Sequence, residues 1–295
     1  MTNKSGFSDQ FAAAAVGQSI LGRPPRELLL NTVIRETPGI PAGCDIREGG
    51  IVQISESSRL RCSVADTQLL SSDIYRIKLT AESDCFPGYY PGQYLVVHLQ
   101  NNENNCFSIA SAPQKNQQHL ELHIQQLKGS PNSQQLFREI KEGVLNVSLP
   151  LGNCHLPDSI DKQQPLLFVA AGTGFSQMKS MIEYCLRHHH HGEMHLYWGA
   201  RTPADFYLPN LPVQWSGQGV HYHPVVSETH HEDDWCGRHG LLYEAILVDR
   251  EKLLDCQTYI SGSPQMVYAT YDVMVGDGFP EKNLHSDVFD YAPRK

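Results

Sequence analysis

Residues 166–176 read LLFVAAGTGFS, an apolar run that ends in a turn with two glycines. The run at 166–170 has the length and the unbroken hydrophobicity of a strand that is buried on both faces. A stripe with the i, i+3, i+4, i+7 spacing of an amphipathic helix comes next, at Met178, Met181, Ile182 and Cys185. A strand, a glycine turn and a helix in this order predict one βα unit of a parallel sheet.

Strands and helices continue to alternate toward the C-terminus. The patterns predict strands at 195–198, 221–226 and 258–261, and helices at 241–248 and 265–273. The last strand runs into Gly262 and Pro264, which repeats the strand–glycine–helix arrangement. Because backbone N–H groups are free at such helix starts, the two turns predict one ligand lying across the carboxyl edge of the sheet.

Upstream of this region, apolar and polar residues alternate with the period of two that is typical of half-buried strands. Six segments have this pattern or strand composition, with turns such as Pro87-Gly88 between them: 60–64, 75–79, 94–99, 107–110, 120–124 and 145–149. They predict a small antiparallel barrel. The chain thus divides into an N-terminal extension (1–58), a barrel domain (59–160) and an α/β domain (161–295), with a polar linker at 158–164.

Composition excludes several classes of function. The net charge is −9 and no Lys/Arg cluster is present, which argues against nucleic-acid binding. The eight cysteines have irregular spacing and no C-x-x-C pair, so we expect reduced, packed thiols. The apolar stretches are too short to span a membrane, and we expect a cytoplasmic protein. The histidines at 188–191 and His230-His231 are interpreted as surface residues, and no metal site is predicted.

The motifs together, in their order, resemble the ferredoxin–NADP reductase superfamily, and bacterial NAD(P)H–flavin reductases most of all. The resemblance covers about residues 59–291 and rests on PGQYLVVHL, FSIAS, LELHI, AAGTGFS, LYWGAR, HPVVSE, GRHG, YISGSPQM and HSDVF. It implies a six-stranded antiparallel Greek-key β-barrel that binds flavin, followed by an α/β parallel-sheet domain that binds the nucleotide. The implied activity is hydride transfer from NAD(P)H as substrate to a flavin.

On the flavin side, the resemblance assigns Phe107 to a position against the flavin ring. It places the Ser108 hydroxyl near flavin N5, where a hydrogen-bond donor stabilises the electron density gained with the hydride. The other flavin-binding candidates implied are Tyr94, Ile109, Ala110, Ser111 and His123.

On the nucleotide side, the resemblance assigns Gly172, Thr173, Gly174 and Phe175 to the nicotinamide loop. Arg201 would help to hold the dinucleotide. Ser261 stands close to the hydride path, as a second catalytic candidate. Gly262 and Met266 match the loop that follows, and Phe289 matches a C-terminal aromatic residue that often packs near the flavin.

Two positions depart from the family pattern. Asn105 replaces the arginine that pairs with flavin phosphate, and a neutral amide is a weaker ligand for an anion. We therefore expect loosely bound FAD or FMN, or riboflavin as substrate. Glu228 stands where NADP-preferring members carry a basic residue, and its carboxylate would repel a 2′-phosphate, which favours NADH over NADPH.

The segment LLLNTVIRETPGIPAGC, at residues 28–44, resembles the approach to the cluster loop of a plant-type ferredoxin. A [2Fe–2S] cluster needs four thiolates, whereas Cys44 stands alone in this segment. We expect no iron–sulfur cluster, and interpret the segment either as a degenerate ferredoxin-like remnant or as an unrelated extension.

Three functions remain open at this point. The first is a flavin reductase that releases reduced flavin or passes electrons to a redox protein. The second is the reductase component of a multicomponent oxygenase or deoxysugar system, with an iron–sulfur partner in trans. The third is a non-catalytic binding or regulatory protein that kept the fold and lost the flavin, which the altered position Asn105 would favour.

Overall fold

The computed structural model describes residues 59–228 and 235–294. The predictions for residues 1–58, including the ferredoxin-like segment and Cys44, lie outside the described residues, as do His230 and His231. Among the described residues, no helix combines the length and the hydrophobicity that a membrane crossing requires.

The first part is a six-stranded antiparallel sheet in the order β4-β3-β6-β1-β2-β5. Its strands are β1 (Leu60–Leu69), β2 (Ile74–Ala81), β3 (Tyr94–His98), β4 (Asn104–Ser108), β5 (His119–Gln125) and β6 (Val144–Leu151). Just beyond the edge strand β4, the N–H of Ala110 donates to the carbonyl of Glu121 on the other edge strand, at 2.7 Å. This bond joins the two edges into a barrel, and the predicted six-stranded barrel is confirmed.

Alternate residues of the barrel strands fill its interior, as a period of two requires. Ile77 and Leu79 on β2, with Leu120 and Leu122 on β5, are almost completely buried in one apolar cluster. Burying one such side chain contributes about 1.5–3 kcal/mol. The barrel is therefore held together mainly by its inward-facing residues.

A helix that the sequence analysis did not predict closes one end of the barrel. Helix α1 (Pro131–Glu142) begins after Ser130, whose hydroxyl accepts a hydrogen bond from the N–H of Ser133 at 3.3 Å. It ends at Gly143, in the left-handed region with φ 86°. Its apolar residues pack into the barrel cluster. The Ser-Pro start and the glycine end were signals of a helix in the sequence.

The second part is a parallel sheet in the order β10-β9-β8-β7-β11-β12. Its strands are β7 (Leu166–Ala171), β8 (Met194–Ala200), β9 (Val220–Val226), β10 (Arg238–His239), β11 (Gln257–Ser261) and β12 (Leu284–His285). Its helices are α2 (Phe175–Arg187), α3 (Asn210–Ser216), α4 (Leu242–Val248), α5 (Arg250–Leu253), α6 (Pro264–Gly276) and α7 (Val288–Tyr291). The predicted parallel α/β sheet is confirmed.

Both faces of this sheet are covered by apolar packing, as the continuous hydrophobicity of β7 predicts. Phe168, Leu196 and Trp198 belong to the cluster on one face, whereas Leu167 and Val169 belong to the cluster on the other. The chain first adds strands on one side of β7 and later places β11 on the other side. The crevice between β7 and β11 is thus a topological switch point, where ligands of such sheets bind.

The helices and strands that were not predicted from the sequence are mostly short. They are α1, α3, α5, α7, and the two-residue strands β10 and β12. The strand predicted at 107–110 is displaced, because β4 ends at Ser108. Beyond it, the backbone of Ala110 turns to pair with Glu121 instead of continuing the ladder with β3.

Candidate functional site

The glycine turns after β7 and β11 meet in the crevice between these strands. Gly172–Gly174 forms one 3-10 turn, and α2 begins immediately afterwards at Phe175. A Cβ atom on Gly174 would overlap the carbonyl of Ser261 and lie 3.0 Å from the nitrogen of Gly262. Only a residue without a side chain allows the two turns to approach this closely, so both predicted turns belong to one site.

The turn after β7 presents its backbone to solvent. Gly172 is exposed, has φ +53°, and has no atom within 4 Å of the place where a Cβ would lie. Its carbonyl accepts a hydrogen bond from Trp198 Nε1 at 3.2 Å, and the carbonyl of Thr173 accepts one from the Ser176 hydroxyl at 2.8 Å. Both carbonyls are hydrogen-bonded within the protein, which fixes the conformation of the turn. Its outer side is open to solvent.

The Phe175 side chain packs beneath the turn that follows β7. Its ring is fully buried and stacks on Trp198, with 3.8 Å between ring centroids and 9° between planes. In this arrangement the ring is a packing partner, and only the turn above it faces outward. On the other turn, the Ser263 hydroxyl accepts a hydrogen bond from the N–H of Met266, which fixes the start of α6.

Strand β4, which carries the predicted flavin residues, lies on the edge of the barrel sheet. Phe107 and Ser108 are both half-buried, and Ser108 pairs with Tyr94 in the ladder with β3. The Ser108 hydroxyl makes no hydrogen bond within residues 59–228 and 235–294. The Phe107 ring packs partly against the barrel cluster, and its exposed part, together with the Ser108 hydroxyl that is unpaired among the described residues, fits the ring and the polar rim of a flavin.

The next residues along the chain join the barrel to α2. Ile109 and Ala110 are completely buried, so their side chains pack inside the protein. The carbonyl of Ala110 accepts from Lys179 Nζ at 3.2 Å, and the carbonyl of Ser111 accepts from the Ser180 hydroxyl at 2.9 Å. The segment that follows Ser108 is therefore tied directly to the helix that begins at the glycine turn.

His123 lies in a buried polar cluster beneath this junction. Its Nδ1 is 3.0 Å from the Tyr207 hydroxyl, and its Nε2 is 2.8 Å from Glu121 Oε1. Burial lowers the pKa of His123, so the ring is neutral at pH 7 and donates a hydrogen bond to the carboxylate. Burial alone would raise the pKa of Glu121, but His123 and Lys179 lower it to about 2. The cluster positions β5 against α2, a role that the sequence did not indicate.

Asp287 is a site residue that the sequence analysis missed. Its Oδ2 accepts from Gln177 Nε2 at 2.9 Å, and its Oδ1 accepts from the N–H of Cys154 at 3.2 Å. Gln177 Nε2 also lies 2.9 Å from the carbonyl of Gly92 in the barrel. Burial raises the pKa of Asp287 to about 7. The HSDVF motif contained this residue, but only the fold shows that it meets α2 and the barrel.

Comparison with known proteins identifies the family. The oxidoreductase FAD-binding domain matches residues 61–156, and the oxidoreductase NAD-binding domain matches residues 168–272, which together are more than half of the chain. A ferredoxin NADP+ reductase from Neisseria gonorrhoeae, solved with bound FAD and NADP, has the same fold, with TM-score 0.66 and 16% identity over 78% of this chain and 98% of that chain. The chain belongs to the ferredoxin–NADP reductase superfamily. It is an NAD(P)H-dependent flavoprotein reductase, as the resemblance predicted.

Two relatives of this superfamily member represent different kinds of reductase. An NAD(P)H-flavin reductase from Vibrio harveyi is 30% identical over 71% of this chain and 89% of its own length. A CDP-6-deoxy-L-threo-D-glycero-4-hexulose-3-dehydrase reductase from Yersinia pestis is 29% identical over 77% of this chain and 68% of its own length.

The remaining candidates lie around the edge of the reductase site. Arg201 and Glu228 are exposed at the ends of β8 and β9, and the N–H of Glu228 donates to the carbonyl of Arg201 at 2.7 Å. Phe289 packs between Tyr268 and Tyr271, with 5.7 Å and 5.1 Å between ring centroids. Its ring thus faces α6, and its assignment to the flavin stays a prediction.

Proposed function

We propose that the chain transfers hydride from NADH to a flavin held on the edge strand β4, and passes the electrons to free flavin or to a redox protein. The proposal rests on one observation. Helix α2 begins at the nicotinamide turn and is hydrogen-bonded to the barrel segment that follows Phe107 and Ser108. The two predicted half-sites are therefore joined by one rigid element.

Ser108 is proposed as the group that orients and polarises the flavin. A flavin supplies an N5 position that accepts hydride and can release electrons singly or in pairs. The Ser108 hydroxyl, without a partner among the described residues, is available to donate toward that atom. Such a donor stabilises the charge that develops during transfer.

The glycine turns are proposed to position the nicotinamide. Gly174 lets the backbones of the two turns approach each other, Ser261 lies at the point of contact, and the absence of a side chain on Gly262 leaves room for Met266. Holding two reacting rings in a fixed orientation supplies most of the acceleration in a direct transfer. No general acid or base is needed for that step, and none is assigned among these residues.

Two side chains, Asn105 and Glu228, are proposed to set which ligands are accepted. Asn105 offers a neutral amide toward a flavin phosphate, so FMN and FAD should bind with little advantage over riboflavin. Glu228 lies beside Arg201 at the carboxyl end of β9, and its carboxylate would disfavour a 2′-phosphate. We infer a preference for NADH.

The test is an assay of the purified full chain with NADH or NADPH and with riboflavin, FMN or FAD, following nicotinamide oxidation. The expected result is turnover with all three flavins and a larger kcat/KM for NADH. Absence of turnover with every flavin, together with colourless protein, would favour the non-catalytic alternative and reject the proposal.

A second candidate is the reductase component of a multicomponent system, which the deoxysugar-dehydrase reductase among the relatives favours. The same assay distinguishes it. Electron transfer to free flavin should then be slow and should accelerate on adding an iron–sulfur protein, whereas a flavin reductase reaches full rate without a partner.

A further inference from the structure

A cluster of histidines lies at the amino ends of β8 and β9, opposite to the glycine turns. His195 is the second residue of β8 and pairs with His221 in the parallel ladder. The two rings stack with 4.7 Å between centroids. His223, two residues further along β9, projects from the same face. Glu193 immediately precedes β8, so four side chains of two metal-binding types, one Glu and three His, converge at one corner of the sheet.

The ligand atoms of this corner are close enough to share one ion. One atom each from Glu193, His195 and His221 lies within 4.8 Å of the others. His195 Nε2 is 3.3 Å from Glu193 Oε2. Two ligands bound to one tetrahedral ion at about 2.1 Å lie roughly 3.4 Å apart, so this pair already has the required separation. Small rotations of the exposed Glu193 and His221 side chains would bring the third ligand into place.

The other ring nitrogen of His195, Nδ1, also has a partner. His195 Nδ1 lies 3.5 Å from His223 Nε2, a contact that orients the imidazole as an outer-shell partner does in metal sites. Asp249 and Lys252 line the same cleft. The Asp249 carboxylate is already bound by the Tyr197 hydroxyl and by Arg238, so it is not available as a ligand.

We propose that Glu193, His195 and His221 bind a divalent transition-metal ion of the zinc type, with water in the remaining positions. Two imidazoles and one carboxylate suit Zn²⁺, Ni²⁺ or Co²⁺ and do not suit the all-oxygen preference of Ca²⁺ or Mg²⁺. His195 is buried, whereas Glu193 and His221 are exposed, which gives the ion a path of entry. The six residues from His195 to Ala200 span about 17 Å of strand, so the ion would lie far from the hydride site.

The test is titration of the untagged, metal-stripped full chain with ZnCl₂ by calorimetry and with CoCl₂ by absorption. We expect one ion per chain and Co²⁺ d–d bands of nitrogen and oxygen ligation. His221→Gln and Glu193→Gln should each weaken Zn²⁺ binding at least tenfold. Both residues are exposed, so both variants should unfold at the wild-type temperature, which guards against a loss of binding through misfolding.

The run at 188–191 supplies the matched control, because it is a second group of histidines on the surface. His189→Gln/His191→Gln should leave the Zn²⁺ affinity unchanged. If this control loses the affinity while His221→Gln keeps it, or if wild type binds no ion, the proposed site does not exist. NADH oxidation by His221→Gln should equal that of wild type, so failure here is separate from failure of the reductase proposal.

Discussion

The Ser108 hydroxyl is half-buried on an edge strand and has no partner among the described residues, which makes it the residue whose removal is most informative. Ser108→Ala should slow flavin reduction on the order of 10²-fold, because one preorganised donor to the developing charge is lost. Rapid-mixing measurements of NADH oxidation under anaerobic conditions give this rate. Ser108→Thr keeps the hydroxyl and should recover most of it. An unchanged rate in the alanine variant would remove the role assigned to Ser108.

Asn105 is the residue that we propose to face the phosphate of a flavin. Asn105→Arg should tighten FMN and FAD by about tenfold, since a charge-assisted hydrogen bond contributes about 1.5–3 kcal/mol, part of which is spent on ordering the long side chain. Riboflavin has no phosphate, and its Kd should not change. Fluorescence titration with the three flavins measures the effect, with the neutral variant Asn105→Gln as control. Equal tightening of riboflavin would show that the arginine acts on the ring and not on a phosphate.

The contact between the two glycine turns is a property of paired elements, and Gly174 tests it. Gly174 has φ −56°, which any residue adopts, so Gly174→Ala acts only through the overlap of its Cβ with Ser261. The overlap should cost about 1–3 kcal/mol of stability and raise the KM for NADH, measured by urea unfolding and steady-state kinetics. Gly217→Ala is the matched control, because Gly217 has φ −68° and its nearest neighbour is Gln214 O at 3.4 Å. Wild-type stability and KM in Gly174→Ala would contradict the packing of the two turns.

Long periodic elements were predictable from sequence because their burial pattern repeats several times. The helix stripe that includes Met178 and Met181 became α2, and the apolar run at 166–170 became β7. Strands β10 and β12 have two residues each, so no period exists to detect, and they form only because a neighbour offers a ladder. The motifs AAGTGFS and YISGSPQM likewise predicted both glycine turns. Asp287 was missed because its role depends on Gln177 and Cys154, more than a hundred residues away in sequence.

At the scale of the whole molecule, buried polar contacts join the barrel to the sheet, in addition to the apolar packing of Ile74, Cys154 and Leu156. Gln177 connects α2 to the carbonyls of Gly92 and Cys154 and to Asp287. Lys179 lies among Glu121, Glu183 and the carbonyl of Ala110. Such contacts require fixed geometry, because an unpaired buried polar group is costly. The relative position of β4 and the glycine turns is therefore defined by specific bonds, as direct hydride transfer requires.

This junction should make stability depend on pH through Asp287. Its pKa is about 7 in the folded protein, because of burial, and about 3.9 in an unfolded chain. Between these values the folded state holds a proton that the unfolded state releases. The stabilising contribution of this group is thus complete below about pH 4 and is lost as the pH rises through about 7.

Asp287→Asn keeps a neutral side chain at every pH. Its free energy of unfolding, relative to wild type, should increase from pH 5 to pH 8 in urea titrations. Asp84→Asn removes an exposed carboxylate that does not act on Asp287 and should not reproduce this slope. A difference between Asp287→Asn and wild type that is constant with pH would mean that Asp287 is ionised throughout this range, with Gln177 and the Cys154 N–H sufficient to hold its charge.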